Sequence, residues 1–191
     1  ALDGAFYLGD SGDKVVTGNP PSRVEGLDMI PSPYLKGYLD EFLDDPEGMP
    51  TLQASRGCPY LCTFCASAKE SWNRIRAFGM DRVKAEIDYL EARAKNKSIR
   101  FTDENFGIVP RDVELARYIA EKRERTSYPN AIRIYTSKNI NERAKEICLL
   151  LKDLIPLNMS CQTLTDPVLE NIKRKNIKVD VYPELVQWAH Q

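Results

Sequence analysis

Apolar and polar positions along most of the chain form units in which a strand pattern is followed by a helix pattern. Short apolar runs predict four strands, at residues 51–55, 98–102, 131–136 and 157–163. Apolar residues at helical spacing predict helices over about 80–95, from Asp112, and through Ala144 to Leu151. Asp166-Pro167 predicts a further helix, with the aspartate at its cap and the proline at its first position. Four strand-helix units in succession predict an α/β fold with a parallel sheet and helices on its outer face.

The first fifty residues follow a different pattern, with many glycine, proline and turn residues. Phe6-Tyr7-Leu8 and the run from Lys14 to Thr17 flank a turn rich in glycine and aspartate, which predicts a β-hairpin. Apolar residues then recur on one face and predict a short helix near 34–44. We therefore divide the chain into a hairpin and linker segment, residues 1–50, and a strand-helix domain, residues 51–191.

Composition excludes several classes of protein. The 191 residues are 42% apolar, which suits a globular chain that buries a core, and no apolar run approaches the roughly 20 residues that span a bilayer. The 27 basic and 28 acidic residues are interspersed, so charge gives no strong signal for nucleic acid or membrane binding. Charge runs at 121–125 and 173–175 predict solvated faces. The single histidine, His190, lies beside the last residue, so catalysis must depend on other side chains or on a cofactor.

Three of the five cysteines, Cys58, Cys62 and Cys65, fall within eight residues in a C-x3-C-x2-C pattern. Thiolates at this spacing can converge on a soft metal centre such as zinc or an iron-sulfur cluster. Three ligands leave a four-coordinate site one short, so either a distant cysteine completes it or one position stays open. A structural zinc site usually has a second ligand pair, which this sequence lacks. The odd cysteine count and the lack of a secretory segment disfavour a disulfide, and we expect a cytoplasmic protein.

This cysteine motif, with the aromatic Phe64 directly before the third cysteine, resembles the signature of the radical S-adenosylmethionine (radical SAM) superfamily. The resemblance implies that Cys58, Cys62 and Cys65 bind three irons of a [4Fe-4S] cluster, that S-adenosylmethionine chelates the fourth, and that Phe64 lies near its adenine. It implies an enzyme in which the reduced cluster cleaves the cofactor to a 5′-deoxyadenosyl radical, which abstracts hydrogen from an unknown substrate. An electron donor such as flavodoxin or ferredoxin would be required.

The resemblance also implies a partial (β/α) barrel, which in this family typically has six strand-helix units. Only four units are predicted here, so we expect the chain to be a fragment in which residues 51–191 form the N-terminal two-thirds of the barrel. The fourth strand should then expose an unpaired edge through which copies of the chain self-associate.

Polar residues follow the predicted strands, at the end of a parallel sheet where active sites form. The phrase Asp103-Glu104-Asn105 after the second strand resembles a variant in the cobalamin-associated branch of the family, which implies that Asp103 or Glu104 binds the ammonium group of S-adenosylmethionine. Lys138, after the third strand, either neutralises a carboxylate or is a solvated lysine. On the fourth strand, Ser160 and Gln162 share one face, and the resemblance assigns them to the ribose or carboxylate of the cofactor. Cys161 should then face the helices, and Cys148 should lie in the core.

Residues 1–50 resemble the connector that joins a cobalamin-binding domain to the barrel in that branch. This implies that cobalamin binds in a domain outside the present chain, and that the outcome could be methyl transfer rather than hydrogen abstraction. Two other classes of function stay open at this point. One is an iron-sulfur electron-transfer module, and the other is a structural zinc-binding domain without catalysis.

Overall fold

The computed structural model shows an α/β arrangement and describes residues 3–19, 24–68, 73–137, 141–156, 158, 160–175 and 181–189. The strands are β1 Phe6–Leu8, β2 Val15–Thr17, β3 Thr51–Leu52, β4 Ser55–Arg56, β5 Arg76–Ala77, β6 Ile99–Phe101 and β7 Ile132–Arg133. The α-helices are α1 Met80–Arg93, α2 Asp112–Thr126, α3 Glu142–Leu150, α4 Asp166–Asn171 and α5 Val181–Ala189. Among the described helices, none has the length and apolar character needed to cross a bilayer.

A parallel sheet in the order β3, β6, β7 lies at the centre, which confirms the predicted strand direction. Ile99 lies opposite Ile132, and Arg100 lies opposite Arg133. Because successive side chains of a strand point to opposite faces, the two isoleucines are buried while the two arginines are exposed. The buried face shares one hydrophobic core with α1 and α2, and that core includes Leu52, Phe101, Ile87, Leu90, Leu115 and Ile119.

The first predicted strand, 51–55, is divided in two. Only Thr51 and Leu52 belong to the parallel sheet, because the chain then turns and Ser55–Arg56 pairs antiparallel with Arg76–Ala77. The cysteine loop therefore leaves and returns through a single antiparallel pair, β4 and β5. This pairing fixes both ends of the loop next to the edge of the central sheet.

The predicted fourth strand is not present among the described residues of this segment, because 158 and 160–163 lie in no strand. The chain between residues 154 and 158 instead makes isolated hydrogen bonds to β7 and the residues after it. Ile132 N donates to Leu154 O at 2.8 Å, and Thr136 Oγ1 donates to Asn158 O at 2.9 Å. The predicted free edge on strand four is consequently absent from this part of the structure.

The N-terminal segment confirms one prediction and corrects another. Strands β1 and β2 form the expected antiparallel hairpin. The helix predicted near 34–44 is a series of turns followed by a 3-10 helix at Phe42–Asp44, and Gly37 adopts a left-handed φ of 70° that interrupts any α-helix. Tyr34 is buried whereas Tyr38 and Phe42 are 71% and 61% exposed, so the apolar residues do not share a buried face.

Helices α1, α2 and α3 confirm the predicted helices, but the predicted caps differ in detail. Asp112 is the first residue of α2 and does not cap it, since its Oδ2 accepts from the backbone N–H groups of Gly107 at 2.8 Å and Val109 at 3.2 Å. Thr165 precedes α4, so Asp166 lies in the first turn of that helix. The Asp112 carboxylate therefore stabilises the loop between β6 and α2.

Asp112 makes stability depend on pH. Burial raises the pKa of this carboxyl group to about 6, although the two backbone N–H groups oppose the rise. Between its ordinary pKa and that value the folded chain holds a proton that the unfolded chain releases, so stability falls as pH rises through this window. The amide of an Asp112→Asn variant retains an oxygen acceptor but does not titrate.

We therefore expect the wild-type chain to lose up to about 3 kcal/mol of stability relative to Asp112→Asn between pH 4 and pH 7. Urea unfolding of both chains across this pH range measures the difference, which cancels the contribution of every other carboxyl group. A difference that stays constant with pH would contradict the raised pKa.

Candidate metal and cofactor site

A cavity of about 320 Å³ opens beside the cysteine loop, at the carboxyl ends of β6 and β7. The residues that line it come from this loop, from the ends of both strands and from the segment after α3, and they are Cys58, Cys65, Ser67, Thr102, Asp103, Glu104, Tyr135, Thr136, Asn158 and Ser160. The structure therefore brings together polar strand ends that the sequence separates by about 100 residues. Parallel strands place their carboxyl ends at one edge, and the cavity forms there for that reason.

The cysteine loop presents its three thiols at different depths. Cys58 and Cys62 are only 3% and 1% exposed, whereas Cys65 is partly exposed. Cys65 N donates to Cys62 O at 3.0 Å, which closes a tight turn between the second and third cysteines. Thr63 N donates to Ile172 O at 3.1 Å, so the loop is also held by the end of α4.

Neither of the two remaining cysteines lines this cavity. Cys148 on α3 is buried in the hydrophobic core, as predicted. Cys161 is exposed, which corrects the prediction that it faces the helices. The correction follows from the missing strand, because the alternation of faces on which that prediction rested requires an extended ladder.

The spacing of the loop cysteines bears on the kind of metal centre. Within the described ranges, no three cysteine, histidine, aspartate or glutamate side chains lie close enough together to hold one metal ion. Thiolates on one loop are donors that both zinc and iron-sulfur clusters use, so the family of the chain decides between them.

Asp103 serves to join two strand ends. Its Oδ2 accepts from the backbone N–H of Ala54 at 2.8 Å, and its Oδ1 accepts from Ser55 Oγ at 2.6 Å. The side chain is 1% exposed, and burial raises the pKa of its carboxyl group even though these hydrogen bonds favour the ionised form. Both carboxylate oxygens are thus already used to fix the cysteine loop to β6.

Glu104 lines the same cavity but is differently arranged. Its Oε2 atom is buried and has no hydrogen-bond partner among the described residues. A buried carboxylate oxygen without a partner is costly to leave unsatisfied. Of the two acidic residues predicted to bind an ammonium group, Glu104 is therefore the one with acceptor capacity left.

Sequence reasoning missed two residues at this site. Asn105 is 2% exposed, and its Nδ2 lies 3.2 Å from the Sγ of Cys58. Tyr135 is 69% exposed and lines the cavity next to Thr136. The alternation of β7 could have indicated Tyr135, whereas no local pattern connects Asn105 with a cysteine 47 positions away.

Of the other predicted site residues that the structure describes, only Ser160 lines the cavity. Its carbonyl oxygen accepts from Arg174 Nη2 at 2.9 Å. Phe64 is 57% exposed, and neither it nor the exposed Gln162 lines the cavity. Lys138 lies outside the described residues.

Two members of the charge runs that were predicted to be solvated are buried instead. Arg174 is 5% exposed because its guanidinium reaches back to the carbonyl group of Ser160. Lys122 is also 5% exposed and pairs with Asp88 at 2.7 Å and with Glu91. Both cations are stabilised by specific acceptors, which is the condition under which charged side chains become buried.

Comparison with known proteins identifies the family. The model of the Radical SAM superfamily matches residues 52–191. The chain belongs to the radical SAM superfamily. Over 184 residues it is 35% identical to the 2-(S-pantetheinyl)-carbapenam-3-carboxylate methyltransferase of Streptantibioticus cattleyicolor and 35% identical to the cobalamin-dependent radical SAM methyltransferase TokK of Streptomyces tokunonensis. Each alignment covers 92% of this chain and 27% of the relative, so the chain spans about a quarter of the length of these relatives.

Solved structures share the fold of this radical SAM chain. The methyltransferase TsrM from Kitasatospora setae, with tryptophan substrate and a SAM analogue bound, superposes with a TM-score of 0.61 at 15% identity, covering 94% of this chain and 36% of that one. The cobalamin-dependent enzyme OxsB superposes with a TM-score of 0.58 at 21% identity, covering 90% of this chain and 26% of that one. At these identities the likeness establishes the fold.

The residues present fit a radical SAM cluster and its cofactor. Three thiolates on one loop supply the soft donors that iron-sulfur clusters require. Two of them, Cys58 and Cys65, line a cavity that Glu104 also lines, and the Oε2 atom of Glu104 has no hydrogen-bond partner among the described residues. Thiolate ligands and a free carboxylate oxygen at one cavity are the groups needed to bind a cluster beside an amino group.

Proposed function

We propose that the full protein is a cobalamin-dependent radical SAM methyltransferase that acts on an unidentified substrate. The observation that carries the proposal is that the C-x3-C-x2-C loop and Glu104 line one cavity, and that Oε2 of Glu104 has no partner among the described residues. Family membership supports the cluster and S-adenosylmethionine, and the names of the two 35% identical relatives support methyl transfer. Hydrogen abstraction without methyl transfer is the second outcome that the same site could produce. The comparisons do not favour an electron-transfer module or a structural zinc domain.

In this proposal Cys58, Cys62 and Cys65 hold a [4Fe-4S] cluster, which supplies the electron that cleaves S-adenosylmethionine reductively. Glu104 accepts from the amino group of the cofactor, while Asp103 fixes the loop to β6. Ser160 also lines the cavity, and its hydroxyl group would bind the cofactor. Roles toward the adenine, a carboxylate and the ribose rest on the family resemblance alone, and they belong to Phe64, Lys138 and Gln162.

The proposal extends to the rest of the protein. We expect residues 51–191 to form part of a partial barrel that further strands complete, and residues 1–50 to connect it to a cobalamin-binding domain. An external electron donor such as flavodoxin or ferredoxin would reduce the cluster. The cytoplasm is the proposed compartment, because free thiols persist there. Self-association through an exposed sheet edge remains part of the proposal, and Leu154 O and Asn158 O already accept hydrogen bonds from Ile132 on β7 and from Thr136 just after it.

Anaerobic reconstitution of the full-length protein tests this function. We expect about four irons and four sulfides per chain and, with S-adenosylmethionine and dithionite, release of 5′-deoxyadenosine. With cobalamin and a trial acceptor of the carbapenam-carboxylate class, a deuterated methyl group of S-adenosylmethionine should appear in the product. One bound zinc and no iron would support the structural alternative, and a cluster without affinity for S-adenosylmethionine would support electron transfer.

A further inference from the structure

The side chain of Asn105 connects the end of β6 to the cysteine loop. Its amide nitrogen lies 3.2 Å from the sulfur of Cys58, in a position that is 2% exposed. A thiolate that binds iron has no proton and can only accept hydrogen bonds. The amide must therefore present its NH2 group to the sulfur, which is the orientation that the structure shows.

The backbone around Asn105 is held on both sides, so the amide has little freedom to move away. On one side, the carboxylate of Asp103 joins Ala54 and Ser55. On the other side, Phe106 N donates to Tyr135 O at 2.8 Å, and the carbonyl group of Phe106 accepts from Ser137 N at 2.9 Å. These hydrogen bonds involve Ala54, Ser55 on β4 and the residues after β7, and they hold the amide beside the cysteine.

Nothing else in the described part of the chain accounts for this buried amide. Its Oδ1 atom has no hydrogen-bond partner there, so the contact with Cys58 is the one that the side chain makes. A buried polar group that is only half satisfied is expensive for the fold. A role at the sulfur explains why a polar residue occupies the position.

We propose that Asn105 is a positioning residue that donates a hydrogen bond to the Cys58 thiolate and thereby raises the reduction potential of the cluster. The inference rests on the proposed function, because it requires Cys58 to be a cluster ligand. Reduction adds negative charge to the cluster and its sulfurs, and a donor N–H stabilises that charge more strongly in the reduced form. The low dielectric of the buried site increases the effect.

The test is a potentiometric titration of the reconstituted full-length protein, followed by electron paramagnetic resonance. Asn105→Leu keeps the size of the side chain and removes the donor. We expect this variant to have a reduction potential lower by about 59 mV, which for a one-electron couple is about a tenfold shift of the equilibrium toward the oxidised form. Asn130→Leu is the matched control, because Asn130 does not line the cavity and its Oδ1 accepts from Arg123 Nη1, so the potential of this variant should stay at the wild-type value.

A second measurement needs no variant and covers the case in which Asn105→Leu does not fold. Wild-type protein labelled with ¹⁵N in the asparagine side chains should show a ¹⁵N coupling to the reduced cluster by pulsed resonance. Absence of that coupling, or an unchanged potential in Asn105→Leu, would overturn the inference while the proposed function stands. A protein that takes up no four-iron cluster would overturn both.

Discussion

Replacing Cys58, Cys62 or Cys65 with alanine, one at a time, should abolish stable binding of the iron-sulfur cluster. Loss of a residue that only hydrogen-bonds to a metal ligand already weakens metal binding about 10- to 100-fold. We therefore expect loss of a direct ligand to lower the affinity for the cluster at least about 100-fold. Iron and sulfide content after anaerobic reconstitution and desalting measures the effect. The fold should survive, because the loop is held at its base by the pairing of β4 with β5.

The chain supplies two matched controls for this experiment. Cys148→Ala makes the same change in the hydrophobic core, and Cys161→Ala makes it at an exposed position. Both variants should bind as much iron as the wild type. Full iron content in any of the three loop variants would show that the proposed ligand set is wrong. Loss of iron in Cys161→Ala would identify Cys161 as a ligand in place of one of the loop cysteines.

The elements with strong periodic patterns were predictable from the sequence. Helix α1 is expected over about 80–95 and spans Met80–Arg93, because Val83, Ile87 and Leu90 form one continuous buried stripe. The parallel sheet follows from strand runs that alternate with such helices. These patterns depend on neighbours within one or two turns, so local sequence contains them.

The failures have non-local or backbone causes. The helix expected near 34–44 had suitable apolar spacing, but Gly37 adopts a left-handed conformation and the chain folds as turns. The strand expected at 157–163 required a ladder partner, and Ser160 O instead accepts from Arg174. Short apolar runs are consistent with several conformations until their partners are known.

The candidate site was also predictable from the sequence only in part. The three cysteines lie within eight residues and the acidic pair is adjacent in sequence, so both could be identified from the sequence. The hydrogen bond from Asn105 to Cys58 joins residues 47 positions apart, and the contact of Thr63 with Asn171 joins residues 108 apart. Which acid is free to bind a ligand also depends on Ala54 and Ser55, and only the fold shows that they use the Asp103 carboxylate.

Substitution of Glu104 by glutamine should weaken binding of S-adenosylmethionine to the reconstituted protein by about 10- to 100-fold. The estimate follows from hydrogen bonds to charged groups, which are worth about 1.5–3 kcal/mol. Glutamine keeps the length of the side chain and removes the charge that attracts an ammonium group. Because Oε2 of Glu104 has no partner in the described structure, the stability of the chain should change little.

Asp103→Asn should instead lower the stability of the chain and leave binding of S-adenosylmethionine less affected. This contrast distinguishes the roles of the two acidic residues. The amide of that variant presents one acceptor where Asp103 serves both Ala54 N and Ser55 Oγ, so we expect about 1–3 kcal/mol of lost stability. Urea unfolding and equilibrium binding of S-adenosylmethionine, measured anaerobically on both variants, give the two quantities. If Asp103→Asn weakened binding at unchanged stability while Glu104→Gln bound normally, Asp103 would be the cofactor ligand. The opposite pattern assigns Glu104, which lines the cavity, to the ammonium group and leaves Asp103 as the structural link between β6 and the cysteine loop.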